Sequence, residues 1–219
     1  QGAAPALRLR RAETVLCWHA HLLPLALFTP ARKTVLFLHG IEVWRRPSVL
    51  QRAALGGVTH VIANSAYTLE RARNFGFVPT RARTSIVHLG IGSPADETVP
   101  QQGTRAAVML GRLDRGERYK GHEETIRAWP LVRTKMPDAQ LWIAGDGDLR
   151  GELQRLVAAL GLRDAVLFFG RISEERKETI LKQARCMLLP SRGEGFGLVY
   201  IEAMRHGRPC LVSTADAGQ

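Results

Sequence analysis

Cysteines and long apolar runs are scarce in this sequence. Its 219 residues include three cysteines, Cys17, Cys186 and Cys210, which are far apart and lie among apolar residues. An odd number at such spacings excludes a disulfide framework and a cysteine zinc site, so we expect reduced core thiols in a cytosolic protein. No apolar stretch reaches the roughly 18 residues that a membrane-spanning helix needs. These scarcities indicate an ordinary soluble globular protein.

Aromatic residues make up only 6% of the chain, and acidic residues are outnumbered, which gives a net charge of +11. Residues 1–104 carry +7 of this charge and residues 105–219 carry +4. Such an excess favours phosphate, nucleic acid or anionic lipid as a partner. We expect no nucleic acid, because the chain lacks an aromatic strand platform, zinc-finger spacing and a recognition-helix pattern. A dinucleotide oxidoreductase is also disfavoured, since no G-x-G-x-x-G opens a helix after a strand.

Short apolar segments alternate with amphipathic segments along the second half of the chain. Strands are predicted at 106–111, 141–145, 166–170, 186–190 and 210–213, with helices at 121–136, 149–160, 174–184 and 198–206. Wholly apolar strands separated by helices predict a parallel sheet with helices on both faces. Right-handed crossovers then give a doubly wound, Rossmann-like domain.

The first half repeats this pattern less completely. Strands are predicted at 15–18, 34–38, 60–64 and 85–89, and the Gly- and Pro-rich segment 90–105 is typical of a linker. The sequence therefore predicts two α/β Rossmann-like domains, residues 1–98 and 99–219. Ligands of such sheets bind at the carboxyl ends of the strands, so the expected site is a cleft between the two domains.

Two loops of the second half carry charged residues directly after a predicted strand. "GRLDRGERYKG" (111–121) contains Arg112 and Lys120, which suit a diphosphate, although a solvated basic loop is the alternative. "AGDGD" (144–148) contains Asp146 and Asp148, which could hold Mg²⁺ on a nucleotide diphosphate. Turn chemistry explains the second loop equally well, and we favour that explanation.

Two glutamates stand eight positions apart in "EGFGLVYIEAM" (194–204). Glu194 precedes Gly195 and Gly197, whose lack of a side chain allows close backbone approach to a ligand, and Glu202 lies inside the following helix. A carboxylate accepts two hydrogen bonds and so matches a vicinal diol, such as that of a sugar or a ribose. The alternative is an exposed loop glutamate and a helix-surface glutamate.

Three histidines of the first half are candidates of a weaker kind. His39 follows a predicted buried strand and precedes a glycine, so a functional and a structural role are equally supported. His19 and His21 would share one face of an extended segment. They could ligate a metal, but only two are present locally, and we favour a structural or acceptor-side role.

These features combined resemble the retaining glycosyltransferases of family 4, which have the two-domain GT-B fold. The matching segments occur in the expected order and are "GRL…KG", "AGDGD", "VLFFGRI" and "PSRGEGFGLVYIEAM" in the second half, with "CWHAHLLP", "VLFLHGIEVW", "THVIANSAYTLERARNFG" and "SIVHLGI" in the first. The family continues beyond both ends of this sequence, so we expect a central fragment that is truncated at both ends and has two incomplete domains.

The resemblance implies a role for each matched residue. His39, Arg112, Lys120 and Glu194 would be catalytic, with His39 facing the reacting sugar and the two cations stabilising the departing diphosphate in place of a metal. The donor would be bound by Gly111, Arg112, Lys120, Arg171, Ile172, Glu194, Phe196, Gly197, Leu198 and Glu202, with Glu194 on sugar hydroxyls, Glu202 on the ribose and Arg171 and Ile172 beside the base. The Arg112-to-Lys120 spacing is longer than the common family pattern, so Arg115 and Arg118 are rival phosphate ligands.

The resemblance further implies transfer of a sugar from a UDP- or GDP-sugar to a glycan or lipid-linked acceptor, without cofactor or metal. The expected setting is bacterial polysaccharide or glycolipid assembly in the cytoplasm, with peripheral contact at the inner face of an anionic membrane. Two alternatives stay open: a GT-B-fold nucleotide-sugar epimerase, since fold alone does not fix function, and a non-catalytic module that binds anionic surfaces.

Overall fold

The computed structural model describes residues 12–29, 31–92 and 104–215, which form two compact units. The first unit is Gln1–Leu89 and the second is Gly90–Gln219. The domain boundary predicted at residue 98 falls in the segment 93–103, outside the described residues.

The described part of the first unit is built on four parallel strands. They are β1 (Ala12–Cys17), β2 (Ala31–Leu38), β3 (Val58–Ala63) and β4 (Arg83–Ile86), and they lie side by side in chain order. A 3-10 helix (Ala20–Leu27) connects β1 to β2, and the helices α1 (Val49–Leu55) and α2 (Ala66–Phe75) connect the later pairs. β4 begins two residues before the start of the strand predicted at 85–89 and ends three residues before the end of that strand. His88 and Leu89 therefore lie beyond the sheet.

Local sequence explains where the two helices of the first unit begin and end. The Ser48 hydroxyl and the Gln51 side chain form a reciprocal capping box at the start of α1. The Ser65 side chain caps α2 by accepting a hydrogen bond from Thr68 N. Gly76 ends α2 in the left-handed conformation that glycine adopts without strain (φ 85°).

The described part of the second unit contains five parallel strands. These are β5 (Ala106–Leu110), β6 (Gln140–Ala144), β7 (Val166–Gly170), β8 (Cys186–Leu189) and β9 (Cys210–Val212). The helices α3 (His122–Lys135), α4 (Arg150–Ala159), α5 (Glu174–Gln183) and α6 (Leu198–Arg205) connect them in turn. β5 is buried along its whole length, as its apolar sequence predicts.

The strand order of the second unit is β7-β6-β5-β8-β9. The chain winds outward from β5 through β6 to β7 and then returns to the other side of β5 for β8 and β9. Right-handed crossovers place α3 and α4 on one face and α5 and α6 on the other. β5 and β8 are therefore the pair at which the winding reverses, and ligands of such sheets bind beyond the carboxyl ends of that pair. The predicted α/β architecture with parallel sheets is confirmed.

Candidate functional site

The loops that follow β5 and β8 touch each other beyond the carboxyl ends of these strands. The Arg192 N–H donates to the Tyr119 carbonyl oxygen at 2.9 Å. Gly193 is buried against Tyr119 so closely that a Cβ on Gly193 would overlap the tyrosine ring. The structure thus brings the two loops that the sequence marked as site loops together at the reversal point of the sheet.

Arg112 and Lys120 share a single carboxylate, that of Glu117. Arg112 Nη2 pairs with Glu117 Oε1, and Lys120 Nζ lies 2.7 Å from Glu117 Oε2. The Glu117 and Lys120 side chains are 12% and 14% exposed, whereas Arg112 is 72% exposed. The Lys120 chain also lies across Gly111, with Nζ 3.2 Å from the position of an added Cβ. Glu117 therefore holds two cations close together in a position where an anionic ligand can compete for them.

The two rival cations of the same loop do not share the Glu117 carboxylate. Both Arg118 Nη2–Glu152 oxygen distances are 2.6 Å, and Arg118 Nη1 lies 3.0 Å from Glu123 Oε2. These partners turn the Arg118 side chain toward α3 and α4. Arg115 is exposed and contributes its backbone N–H, at 2.8 Å, to Asp148 Oδ1. Of the four cations, Arg112 and Lys120 form the pair at Glu117.

Hydrogen bonds account for both carboxylates of the "AGDGD" turn. Asp148 accepts from Arg115 N, and Asp146 accepts from Gly147 N at 2.9 Å and from Arg150 Nη1 at 3.1 Å. Leu113 N also donates to the Asp146 carbonyl oxygen at 3.0 Å. The turn thus ties the loop that carries Arg112 to the end of β6, which is the turn chemistry favoured by the sequence.

Tyr119 is a site residue that sequence reasoning missed. Burial is the main reason that its pKa rises to about 12, and the nearby carboxylates of Glu117 and Glu194 add to the rise, while Arg112 opposes it. Charges from both loops thus act on the pKa of the phenol, which is protonated at neutral pH. The residue types alone contain no signal for this role, because Tyr119 and Gly193 are 74 positions apart.

The resemblance also predicts three donor-binding residues at the end of the second loop. Phe196, Gly197 and Leu198 lead into α6, which begins after Gly197 in the left-handed conformation (φ 81°). The N-cap residue Gly197 has no side chain that could accept a hydrogen bond from the first turn of α6. Its first amides therefore face out of the helix as hydrogen-bond donors, which favours an anion there.

Glu202 lies inside α6 and pairs with a lysine of α5. Lys177 Nζ is 3.0 Å from Glu202 Oε1 and 2.7 Å from Glu174 Oε2. Burial disfavours the charge of Lys177, but the hydrogen bonds to Glu174 and Glu202 outweigh it and raise the lysine pKa. These side chains line a cavity of about 130 Å³. Sequence reasoning missed Lys177 because its contact depends on the packing of α5 against α6.

Arg171 and Ile172 follow β7, which is separated from β5 by β6. Arg171 is exposed, and Ile172 packs against the core of the second unit. The chain then enters α5 at Ser173, whose hydroxyl caps the helix by accepting from Arg176 N. The structure therefore places the two predicted base-side residues next to the helix that contacts Glu202, and not beside Arg112.

His39 lies at the end of β2 in the first unit. Its Nε2 is 2.7 Å from the Trp18 carbonyl oxygen, and because a carbonyl only accepts, Nε2 carries the proton. His39 N donates to Glu42 Oε1 at 2.6 Å, and Asn64 Nδ2 donates to the His39 carbonyl oxygen at 2.6 Å. The residue is therefore firmly positioned, and its predicted catalytic role stays a prediction.

His19 and His21 have local partners in the same unit. His19 Nδ1 caps the 3-10 helix by accepting from His21 N at 3.2 Å. Burial is the main reason that the His19 pKa is lowered; the Glu42 charge opposes this shift, and the neighbouring His21 and His39 add to it. His21 Nε2 accepts from Arg45 Nη2 at 2.8 Å. These contacts support the structural role, and within the described residues no group of three or more His, Cys, Asp or Glu side chains is placed to hold a metal.

Replacement of Gly193 by alanine is expected to destabilise the protein by roughly 1–3 kcal/mol, the usual range for overpacking. The methyl group and the Tyr119 ring cannot occupy the same space. Urea unfolding of the wild type, Gly193→Ala, Tyr119→Ala and the double variant measures this coupling. The methyl should cost little once the ring is removed; an equal cost with and without the ring would contradict the packing described.

Comparison with known proteins places the chain in a family. The family model of the glycosyl transferases group 1 matches residues 104–219. A GDP-mannose-dependent alpha-(1-6)-phosphatidylinositol monomannoside mannosyltransferase of Mycolicibacterium smegmatis is 32% identical over 91% of this chain and 58% of its own length. The phosphatidyl-myo-inositol mannosyltransferase of Mycobacterium tuberculosis is 37% identical over 54% of this chain and 30% of its own length. The chain thus spans little more than half of the length of the Mycolicibacterium relative.

Solved structures show the same fold. Anabaena HepE in complex with UDP superposes with a TM-score of 0.73 at 20% identity, covering 94% of this chain and 60% of that one. Its likeness, with that of other glycosyltransferases, identifies the fold as GT-B. Within residues 12–29, 31–92 and 104–215, every helix is too short or too polar to span a bilayer. The fold, the ordered motifs and the family match lead to one conclusion: the chain belongs to the group 1 glycosyl transferases.

Proposed function

We propose that the protein transfers a sugar from a nucleotide-diphosphate sugar to a glycan or lipid-linked acceptor, with retention of configuration. The observation that carries this proposal is the pair of cations held by Glu117 at the reversal point of the second sheet. Arg112 and Lys120 meet there on one carboxylate, and the loop of Glu194 lies against their own loop through Tyr119.

A diphosphate fits this arrangement because it can replace the Glu117 carboxylate as the partner of both cations. Guanidinium groups bind phosphate oxygens through parallel hydrogen bonds, and an ammonium adds a point charge. The open first turn of α6 adds backbone donors on the β8 side. The Mycolicibacterium relative is GDP-mannose-dependent and HepE was solved with UDP, which supports a UDP- or GDP-sugar as donor.

In the proposed reaction, the bond between the anomeric carbon and the diphosphate oxygen breaks, and the nucleoside diphosphate leaves with the electron pair. The acceptor hydroxyl oxygen bonds to the anomeric carbon on the same face, and its proton passes to the departing diphosphate. Arg112 and Lys120 stabilise the negative charge that develops on the leaving group, so the proposed mechanism needs no metal.

The other matched residues complete the proposed donor site. Glu194 would accept hydrogen bonds from sugar hydroxyls, and Glu202 would accept them from the ribose. Lys177 neutralises Glu202, so that the acidic side chain can lie near a diphosphate without strong repulsion. His39 would face the reacting sugar, as the resemblance implies, with the proton on Nε2.

Nucleotide binding tests the donor site. UDP, GDP and ADP are each added to the purified chain at up to millimolar concentration, and thermal unfolding is followed. A ligand at about 100 times its Kd stabilises by roughly 2.7 kcal/mol, and at about 2–4 °C per kcal/mol this raises Tm by roughly 5–10 °C. We expect one nucleotide to act in this way.

The matched variants are Arg112→Gln, Lys120→Met and Arg115→Gln, which remove one charge each from the same loop. The first two should weaken nucleotide binding by about tenfold or more, since a hydrogen bond to a charged group contributes about 1.5–3 kcal/mol. Arg115→Gln should change it by less than about twofold. No response to any of the three nucleotides, or an equal loss in Arg115→Gln, would overturn the proposed site.

The excess positive charge of residues 1–104 supports peripheral contact with an anionic membrane on the cytoplasmic side, as a further part of the proposal. The Mycolicibacterium relative acts on a phosphatidylinositol mannoside, which is a membrane lipid.

A nucleotide-sugar epimerase is the alternative to a transferase. Turnover of nucleotide sugar without any acceptor would favour the epimerase.

A further inference from the structure

A second cavity lies beside the donor loop, on the α3 and α4 side of the second unit. Its volume is about 310 Å³, at the lower end of the range of about 300–1,000 Å³ that small-molecule sites occupy. Two arginines, two glutamates, a tyrosine and a histidine supply its polar wall: Arg118, Arg192, Glu123, Glu124, Tyr119 and His122. The proposed donor site uses none of the four charged side chains.

The charges around this cavity are balanced in pairs. Arg192 Nη2 lies 2.8 Å from Glu124 Oε1, and Arg118 Nη1 lies 3.0 Å from Glu123 Oε2. An anion would have to displace a glutamate from each arginine. A neutral ligand with several hydroxyl groups can instead donate to the carboxylates and accept from the guanidinium groups while both pairs persist. The balance therefore favours a polyol over a phosphate.

His122 adds a neutral polar residue to the wall of this cavity. The residue is 2% exposed and lines the cavity, yet neither ring nitrogen has a hydrogen-bond partner among the described residues. A buried polar group without a partner costs about 1–3 kcal/mol. Burial keeps the imidazole neutral at pH 7, with one nitrogen as donor and the other as acceptor. The imidazole therefore adds no charge to the cavity wall, in keeping with a neutral ligand.

Residues of the two loops of the proposed donor site also line this cavity. Arg192 stands two residues before Glu194, and Tyr119 contributes to the cavity while its ring packs against Gly193. An aromatic ring at this place offers an apolar face to the C–H groups of a sugar. We propose that this cavity binds a neutral sugar ring of the acceptor. The identity of that sugar as the acceptor rests on the proposed transferase function, whereas the binding of a sugar does not.

Saturation-transfer NMR tests the inference with a panel of neutral methyl glycosides of mannose, glucose, galactose and N-acetylglucosamine. The chain is examined as wild type, as Glu124→Gln and as Glu175→Gln, a matched loss of one exposed carboxylate on α5. We expect at least one glycoside to bind, Glu124→Gln to weaken it by about fivefold or more, and Glu175→Gln to leave it unchanged.

The outcomes separate this inference from the proposed function. The nucleotide response of Glu124→Gln should equal that of the wild type, because Glu124 does not belong to the donor site. Binding of no glycoside, or equal binding to wild type and Glu124→Gln, overturns the sugar cavity while the nucleotide response still reports on the donor site. Inorganic phosphate could instead displace the glycoside, equally in the wild type and in Glu175→Gln, and lose its own binding in Arg192→Gln. That result would identify an anion site and would also overturn the sugar cavity.

Discussion

Between pH 6.5 and pH 4 the free energy of unfolding should fall by roughly 3 kcal/mol through one residue, His122. The folded pKa of His122 is about 4, chiefly because of burial and secondly because of the Lys120 charge, against opposing effects of Glu117 and Glu124. An imidazole in the unfolded chain titrates near its ordinary value of about 6.5. The unfolded state therefore binds more protons than the folded state throughout this window.

The direction in which the free energy of unfolding changes with pH follows from that difference in bound protons. A histidine with a depressed folded pKa contributes no penalty above about pH 6.5, where both states are neutral. As the pH falls, protonation stabilises the unfolded state until the folded imidazole also titrates near pH 4. A difference of about 2.5 units at about 1.36 kcal/mol per unit gives roughly 3 kcal/mol. The loss is therefore complete at about pH 4 and absent at neutral pH.

Urea unfolding at intervals from pH 4 to pH 7 measures this effect in the wild type and in His122→Leu. Other groups, including the carboxylates and His206, whose pKa burial also lowers, contribute equally to both proteins. The difference between the two curves isolates His122. It should be flat above about pH 6.5 and should change by roughly 3 kcal/mol toward pH 4. A flat difference over the whole range would show that the imidazole is not held neutral in the fold.

This titration bears on the site because His122 follows the loop that carries Lys120. An imidazolium at His122 would add a second buried positive charge next to the Lys120–Glu117 pair. Acid would therefore destabilise the start of α3 and the loop before it. The expected decline in nucleotide binding at low pH has a structural cause, and it should disappear in His122→Leu even though that residue does not contact the proposed donor.

The architecture of the second unit follows from its sequence because each strand is a short apolar run and each helix is amphipathic. Knowing that parallel strands end at one edge was enough to expect Arg112 and Glu194 near each other. The contact between their loops depends on β8 pairing directly with β5, which the order of elements along the chain does not specify. The same adjacency explains why Tyr119 and Gly193 come into contact.

The partners of the predicted residues were not accessible from the sequence. Glu117 contacts both Arg112 and Lys120 from within a 3-10 helix, Arg115–Lys120, whose backbone is non-helical at Glu117 itself (φ −115°). No side-chain periodicity encodes this geometry. Lys177 meets Glu202 across 25 positions through helix packing. Arg118 ranked as a rival phosphate ligand only because its pairing with Glu152 on α4 is invisible in the sequence. Charge and spacing thus identify candidate groups, and packing decides which of them are available.

Replacement of Gly145 by alanine should be the most damaging single substitution considered, with a loss of roughly 3–5 kcal/mol. Gly145 directly follows β6 at φ 152°, and an added Cβ would lie 2.8 Å from the carbonyl carbon of Gly111 and closer still to its oxygen. That carbonyl belongs to backbone held by the Gly111 N–H bond to Ala144 O at 3.1 Å. Unlike a flexible side chain, this backbone cannot move aside without breaking the end of the sheet.

Gly161→Ala is the matched control, because Gly161 also has a positive φ (66°) but no atom within 4 Å of an added Cβ. It measures the conformational cost alone, about 1–2 kcal/mol. The excess loss in Gly145→Ala, read from urea unfolding, then reports the overlap with Gly111. Equal losses in the two variants would mean that the loop after β5 moves freely. In that case Arg112, which follows Gly111 directly, would not be preorganised for a diphosphate. A large excess implies the opposite: the position of Arg112 is fixed by the contact between the ends of β5 and β6 before any nucleotide binds.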